Sequence, residues 1–121
     1  MPLMDLNFEV VHFGVNCENE IEALEAARAF EFLFGIAPIK NSKDSVYSGP
    51  LVELMKGNGR GRHGHIGIAC DDIHRARELL ENKGIEFDEG SVKYDDNGSL
   101  LVIYMKKEIA GFAVHIIQRT V

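Results

Sequence analysis

Apolar and polar residues alternate along residues 9–15, a period of two that is typical of a half-buried β-strand. One face carries the apolar side chains Val11, Phe13 and Val15, and the other carries Val10, His12 and Gly14. We expect the first face to pack under a helix. The second face, with small Gly14 beside the imidazole of His12, is expected to open onto a concavity.

Helix signals follow this strand twice. Asn19 and Glu22 form a capping box for a helix that ends near Phe34, before Gly35. A second helix starts at Asp72 with the apolar stripe Ile73, Ala76, Leu79 and Leu80. Further strands are predicted near residues 46–47, 50–56, 65–70, 85–87, 100–105 and 112–118, with a hairpin turn at Asn97-Gly98. Each half reads as strand, helix and about three strands, which predicts an α+β fold with mainly antiparallel sheet.

The two halves match each other in sequence. The segment HFGVNCEN from His12 aligns with HIGIACDD from His65, and VELMK around Glu53 aligns with VHIIQ around His115. Because these features keep their order, we interpret the chain as a duplication. The expected organisation is one domain, residues 1–121, with module 1 at about 7–57 and module 2 at about 62–119.

Composition narrows the classes of protein. The chain has 121 residues and a net charge of −6, which argues against nucleic acid as a main partner. It has neither a signal-peptide pattern nor an apolar run of membrane-spanning length, so no membrane partner is expected. Only two cysteines, Cys17 and Cys70, favour a reducing cytoplasm, and both are expected to be small buried hydrophobes.

The aligned positions of the repeat carry ligating side chains: His12, Glu53, His65 and His115. A carboxylate inside a strand such as that of Glu53 is costly unless it is paired or bound to metal. Three imidazoles and one carboxylate suit a divalent transition metal (Zn, Ni, Co, Mn or Fe) better than magnesium. The alternative for any lone strand histidine is a hydrogen-bonded or solvent-facing residue, and His115 could replace a lost ligand in an inactive site.

Four segments, VVHFGVN, GPLVELMK, GHIGIACDDIHRARELLENKG and GFAVHIIQ, resemble the vicinal oxygen chelate superfamily. That superfamily includes glyoxalase I, extradiol dioxygenases, methylmalonyl-CoA epimerase and the fosfomycin and bleomycin resistance proteins. The resemblance implies two βαβββ modules forming a curled mixed sheet around a metal-binding cleft, with helices outside. It also implies one divalent metal held by the four residues above, and a homodimer. The chain is similar, too, to the glyoxalase-like module fused to 2-keto-3-deoxy-6-phosphogluconate aldolases.

One position departs from the family pattern. Glyoxalase I-like and epimerase-like members usually carry glutamate where this chain has His115. A divalent ion with one carboxylate and three neutral imidazoles would keep a formal charge of +1, which favours an anionic, chelating oxygen ligand. A proton shuttle between two glutamates cannot be carried over, which leaves Glu53 or a metal-bound hydroxide as the catalytic base.

We therefore expect a metal-dependent glyoxalase-like lyase or isomerase that acts on a small anionic keto or hydroxy metabolite. The alternatives are a non-catalytic small-molecule-binding or regulatory module and an Fe(II)-dependent dioxygenase. The segment GRGRHG matches a dinucleotide-binding glycine pattern, but a strand is predicted to follow it, so that function is rejected. Arg60 and Arg62 in this segment are candidates for binding a substrate carboxylate or phosphate.

Overall fold

The computed structural model describes residues 3–120. Its elements are a 3-10 helix (Leu3–Leu6), the strands β1 (Glu9–Cys17), β2 (Pro38–Asn41), β3 (Ser45–Ser48), β4 (Val52–Lys56), β5 (Gly64–Cys70), β6 (Phe87–Tyr94), β7 (Leu100–Met105) and β8 (Phe112–Gln118), and the helices α1 (Glu20–Phe34) and α2 (Ile73–Asn82). The strands follow the hydrogen-bonding order β2-β3-β4-β1-β5-β8-β7-β6. β1 pairs with β4 in parallel, whereas β3–β4 and β7–β8 are antiparallel. The predicted α+β fold with a mixed sheet is confirmed.

The chain divides into two compact units. The first consists of residues 12–65, and the second combines the described residues up to Val11 with those from Ile66 onward. The boundaries fall within β1 and β5. The predicted modules, about 7–57 and 62–119, stay a prediction. Within residues 3–120, no helix is long and apolar enough to cross a membrane.

In the unit of residues 12–65, α1 packs on β3 and β4. Its core consists of the buried residues Cys17, Ala23, Ala27, Val46 and Leu54. The predicted cap is confirmed, because the side chain of Asn19 accepts a hydrogen bond of 2.9 Å from the backbone N–H of Glu22. The predicted helix end is confirmed at Gly35, whose φ of 70° lies in the left-handed region that favours glycine.

The predicted burial of β1 is wrong at two positions. Phe13 and Val15 are 45% and 41% exposed, whereas His12 and Gly14, on the opposite face, are buried. The reason is that the core under α1 includes Cys17 and not the middle of β1. In the middle of β1 the face with His12 and Gly14 is therefore the buried one.

In the second unit, α2 contacts β7 and β8 over a core of Leu6, Cys70, Ile73, Ala76, Phe87, Leu100, Ile103 and Ile116. The helix is capped by Asp72, whose side chain accepts from the backbone N–H of Arg75 at 3.2 Å. The predicted turn at Asn97-Gly98 joins β6 and β7, and Gly98 has a φ of 79°. Both cysteines are buried and free, as predicted.

Candidate metal site

Three of the predicted ligands lie in one unit of the structure. His12 is on β1, Glu53 is on β4, and His65 is the second residue of β5. The parallel register of β1 and β4 places Gly14 beside Glu53. Because side chains two residues apart share a face of a strand, His12 lies on the same face as this pair. The structure thus brings His12, Glu53 and His65 together.

The three side chains meet through single atoms. Nε2 of His65 lies 3.1 Å from Oε1 of Glu53 and 3.2 Å from Nε2 of His12. Nε2 of His12 lies 3.7 Å from the same carboxylate oxygen. The residues His12 and His65 are 9% and 3% exposed, so the cluster is largely removed from water.

These separations suit a shared cation. Ligand atoms bonded at about 2.0–2.2 Å to one ion lie about 2.8–3.6 Å apart in octahedral or tetrahedral geometry. Two of the separations, 3.1 and 3.2 Å, fall in this interval, and the third, 3.7 Å, lies just beyond it. Two imidazoles and one carboxylate are also a donor set that divalent transition metals prefer.

Hydrogen bonds alone account for these three short separations less well than a shared cation does. A neutral imidazole carries one N–H, so a single hydrogen on Nε2 of His65 cannot serve both Glu53 and His12 at full strength. If His65 donates to Glu53, its Nε2 has no lone pair left in the ring plane to accept from His12. One cation would instead satisfy all three atoms at once. The donor geometry therefore fits a metal site.

Ser45 orients the carboxylate. Its Oγ donates a hydrogen bond of 2.7 Å to Oε2 of Glu53, which leaves Oε1 facing the two histidines. Ser45 is only 4% exposed, so water competes little for this bond. Tyr47 lies directly across from Glu53 in the β3–β4 register, and its ring meets that of His12 edge-on at 6.1 Å. Nothing in the sequence marked Ser45, because its role depends on how β3 pairs with β4.

The electrostatics favour the protonation states that bind metal. Burial lowers the pKa of His12 below 6.5; the charge of Glu53 opposes this shift, and His65 adds to it. Burial alone would raise the pKa of Glu53, but hydrogen bonds from His65 and Ser45 and the charges of both histidines lower it from 4.5 to about 2. At neutral pH the cluster therefore offers neutral His12 and ionised Glu53, as metal binding requires.

His115, the fourth predicted ligand, belongs to the other unit. It lies on β8, is 7% exposed, and pairs in register with Tyr104 on β7. The rings of His115 and Tyr104 are stacked, with centroids 4.5 Å apart and an angle of 13° between their planes. Stacking of this kind fixes the orientation of an imidazole. The role of His115 as a ligand stays a prediction.

Arg60 and Arg62 lie exposed in the segment that joins β4 to β5. That segment is anchored by Asn16, whose side-chain amide donates to the carbonyl of Gly61 at 2.9 Å. A strand follows it, as predicted, so the glycine pattern lacks the helix that a dinucleotide site needs. The proposed contact of the two arginines with substrate stays a prediction.

Comparison with known proteins identifies the fold. No family model matches the chain, and no curated protein matches it. Among solved structures, a methylmalonyl-CoA epimerase superposes with a TM-score of 0.66 at 18% identity, over 93% of this chain and 95% of that one. The Mycobacterium tuberculosis methylmalonyl-CoA epimerase gives a TM-score of 0.65 at 10% identity, over 93% and 88%. A Streptomyces coelicolor variant of this enzyme, in complex with 2-nitronate-propionyl-CoA, gives 0.61 at 12%, over 93% and 94%.

The similarity extends over nearly the full length of each compared chain. The protein has the vicinal oxygen chelate fold, and the resemblance predicted from the sequence is confirmed at the level of the fold. The solved structures that share this fold include methylmalonyl-CoA epimerases. At these low sequence identities the similarity supports a shared fold only. The chemistry of the site therefore has to be inferred from its own residues.

Proposed function

We propose that this protein is a metal-dependent isomerase of the vicinal oxygen chelate fold that acts on a small anionic oxygenated metabolite. The observation that carries the proposal is the convergence of His12, Glu53 and His65 on one point through single ligand atoms 3.1–3.7 Å apart. His115 is proposed as the fourth ligand because it occupies the position of Glu53 in the second copy of the repeat.

The charge of the ligand set selects the substrate class. One carboxylate and neutral imidazoles leave a divalent ion with a net positive charge, so anionic oxygen atoms are favoured over neutral ones. When bound, the ion would act as a Lewis acid that polarises a substrate carbonyl. The chain supplies the ion with fixed ligands in a site that holds little water, where electrostatic interactions are strong.

Glu53 is proposed as a metal ligand, and either Glu53 or a hydroxide on the bound ion would be the catalytic base. A pKa of about 2 makes this carboxylate a weak proton acceptor near neutral pH. Efficient general bases have pKa values near the working pH, so the low pKa of Glu53 favours the hydroxide in this role. Its Oε2 also accepts the hydrogen bond of Ser45, which leaves Oε1 for the ion.

The substrate class can be probed with an acyl-CoA. The solved epimerases of this fold include one in complex with methylmalonyl-CoA and another with 2-nitronate-propionyl-CoA. We therefore propose methylmalonyl-CoA as the first compound to test. Incubation in deuterium oxide should replace the hydrogen on the carbon between the two carbonyl groups, which proton magnetic resonance detects as loss of that signal. A small 2-keto acid with an exchangeable α-hydrogen is the second compound.

Elemental analysis of protein purified without added metal tests the site itself. We expect about one divalent transition metal per chain, lost in His65→Ala and in Glu53→Ala. The matched controls His74→Ala and Glu25→Gln change exposed residues and should keep the metal. A metal-free protein whose melting temperature ignores Zn²⁺, Ni²⁺, Co²⁺ and Mn²⁺ would contradict the proposal.

A second function is favoured by the same geometry. Two histidines and one carboxylate are also the ligand set of non-haem Fe(II) oxygenases, which keep further positions open. Iron in the elemental analysis, together with oxygen consumption on addition of a catechol, would favour the dioxygenase. Zinc, nickel or cobalt with hydrogen exchange and no oxygen uptake would favour the isomerase.

A further inference from the structure

We propose that Gly14 is a positioning residue of this site: its missing side chain makes the space in which the ring of His65 lies. The inference rests on the proposed function only in calling His65 a metal ligand. Gly14 contributes no ligand atom, and its role is to let His65 point at Glu53.

The space above Gly14 is occupied by His65. A β-carbon built on Gly14 would overlap ring atoms Cε1 and Nδ1 of His65 and would lie 2.6 Å from Nε2. Real β-carbons essentially never approach other heavy atoms that closely, so any side chain at position 14 must displace the ring.

Moving the ring of His65 would break its contacts with Glu53 and His12. Its Nε2 is held 3.1 Å from Oε1 of Glu53 and 3.2 Å from Nε2 of His12. The residue is only 3% exposed, so little open space is available for a different rotamer. Gly14 is itself paired in register with Glu53 across β1 and β4, which fixes its backbone beside the carboxylate. A methyl group at position 14 would therefore push His65 off its ligand geometry.

The requirement for glycine here is spatial. Several glycines of the described residues, such as Gly35 and Gly98, have a positive φ, but Gly14 is not among them. Its backbone conformation therefore suits any residue, and alanine would be accepted if the ring of His65 were absent. This difference makes the proposal testable by a double-mutant cycle.

The experiment compares four metal-free proteins by urea unfolding: wild type, Gly14→Ala, His65→Ala and the double variant. We expect Gly14→Ala to lower the unfolding midpoint in the wild-type background and to change it much less in the His65→Ala background. Gly90→Ala is the matched control, because a β-carbon there would meet only the side chain of Asp88, at 3.3 Å. Equal loss in both backgrounds would overturn the assignment.

A metal readout separates positioning from folding. Co²⁺ bound to the wild type should give a visible absorption spectrum set by its ligand geometry. We expect Gly14→Ala to bind Co²⁺ at least about tenfold more weakly, with an altered spectrum, while Gly90→Ala matches the wild type. An unchanged spectrum and affinity in Gly14→Ala would overturn the proposal.

The experiments distinguish a failure of the proposed metal site from a failure of the proposed role of Gly14. A wild type that binds no metal refutes the metal site, while the metal-free cycle still decides whether Gly14 accommodates His65.

Discussion

The late strands of the two halves hold corresponding residues in different ways. Glu53 on β4 faces Tyr47 in register, and Ser45 on the same neighbouring strand donates to its Oε2. His115 on β8 faces Tyr104 in register, and its ring stacks on that tyrosine. A tyrosine thus lies across from the site residue in both halves, but a hydroxyl orients the carboxylate in one and an aromatic face orients the imidazole in the other.

The register explains why the two arrangements differ. Ser45 pairs with Met55, two residues beyond Glu53, whereas the corresponding pair in the second half is Val102 with Ile117, two residues beyond His115. Valine offers no hydrogen bond, so this position cannot support a carboxylate as Ser45 does. The difference between Glu53 and His115 therefore goes together with a difference in the neighbouring strand, Ser45 against Val102.

The two halves share a structural frame around these positions, namely a side-chain contact between the last strand and the first residue of the helix. Nζ of Lys56, at the end of β4, donates to Oε2 of Glu20, the first residue of α1. Oε1 of Gln118, at the end of β8, accepts from the backbone N–H of Ile73, the first residue of α2. Each half ties its last strand to the start of its helix. The comparison teaches that the two halves share this frame but differ in the chemistry at one aligned position.

Lowering the pH should reveal how much ionised Glu53 contributes to the stability of the protein. The pKa of Glu53 is about 2 in the folded protein, against 4.5 ordinarily, so its stabilisation is complete above about pH 4.5 and is lost as the pH falls through about 2. Urea unfolding of metal-free protein between about pH 3 and 6 should show a shallower pH slope for Glu53→Gln than for wild type. The exposed control Glu25→Gln should keep the wild-type slope, and parallel slopes for Glu53→Gln and wild type would contradict the assignment.

His12 contributes in the same direction. Its pKa is lowered on folding, so the unfolded chain binds more protons than the folded one as the pH falls below 6.5. Glu53→Gln removes a charge that raises the pKa of His12, so this earlier loss of stability should persist or grow in that variant, whereas His12→Gln should remove it. The two variants thus divide the loss of stability in acid into a part from His12, which begins below pH 6.5, and a part from Glu53, which begins below about pH 4.5.

The substitution His115→Glu tests whether the second half can support a carboxylate at this position without a neighbouring hydroxyl. His115→Glu would bury a carboxylate beside Val102, and we expect a loss of about 1–3 kcal/mol in the free energy of unfolding at pH 7. The loss should shrink at pH 5, where the new carboxyl is more often protonated. Adding Val102→Ser should recover part of the loss at pH 7 by supplying the missing hydroxyl. A His115→Glu variant as stable as the wild type would show that the two halves accept a carboxylate equally.

The fold followed from local signals in the sequence. Asn19 was recognisable as a helix cap and Asp72 as the start of a helix, and alternation or apolar runs located most strands, because these features depend on neighbouring residues. β2 was missed because its four residues are all exposed and start with Pro38, so no burial pattern marks it. The predicted burial of Phe13 on β1 was wrong. Alternation distinguishes the two faces of a strand, but it does not tell how much of a face a helix covers.

The site was predictable only as far as the repeat marks it. Aligning the halves singled out His12, Glu53 and His65, and the structure brings these three together. Ser45 could not be found in this way, since its partner position in the second half is a valine. The steric role of Gly14 was likewise hidden, because it depends on the ring of His65, which is distant in sequence.

Removing the hydroxyl of Ser45 should weaken metal binding without unfolding the protein. Ser45→Ala loses the hydrogen bond to Oε2 of Glu53, so the pKa of Glu53 should rise and Zn²⁺ affinity should fall about 10–100-fold. Ser45→Thr keeps a hydroxyl and should restore most of the affinity. Ser48→Ala, at a buried position on the other face of the same strand, is the matched control. Calorimetric titration measures all four proteins, and equal affinities for Ser45→Ala and wild type would refute this role.

The smallest expected effect concerns the two tyrosines. The Tyr104 ring stacks on His115 at 4.5 Å, whereas the Tyr47 ring meets His12 edge-on at 6.1 Å. Close aromatic pairs contribute about 0.5–1.5 kcal/mol beyond their buried area. Tyr104→Leu should therefore destabilise the protein more than Tyr47→Leu in urea unfolding, while Tyr104→Phe, which keeps the ring, stays near the wild type. If Tyr104→Phe lost as much stability as Tyr104→Leu, the hydroxyl and not the stacked ring would hold this part of the second half, and the contrast between the two halves would disappear.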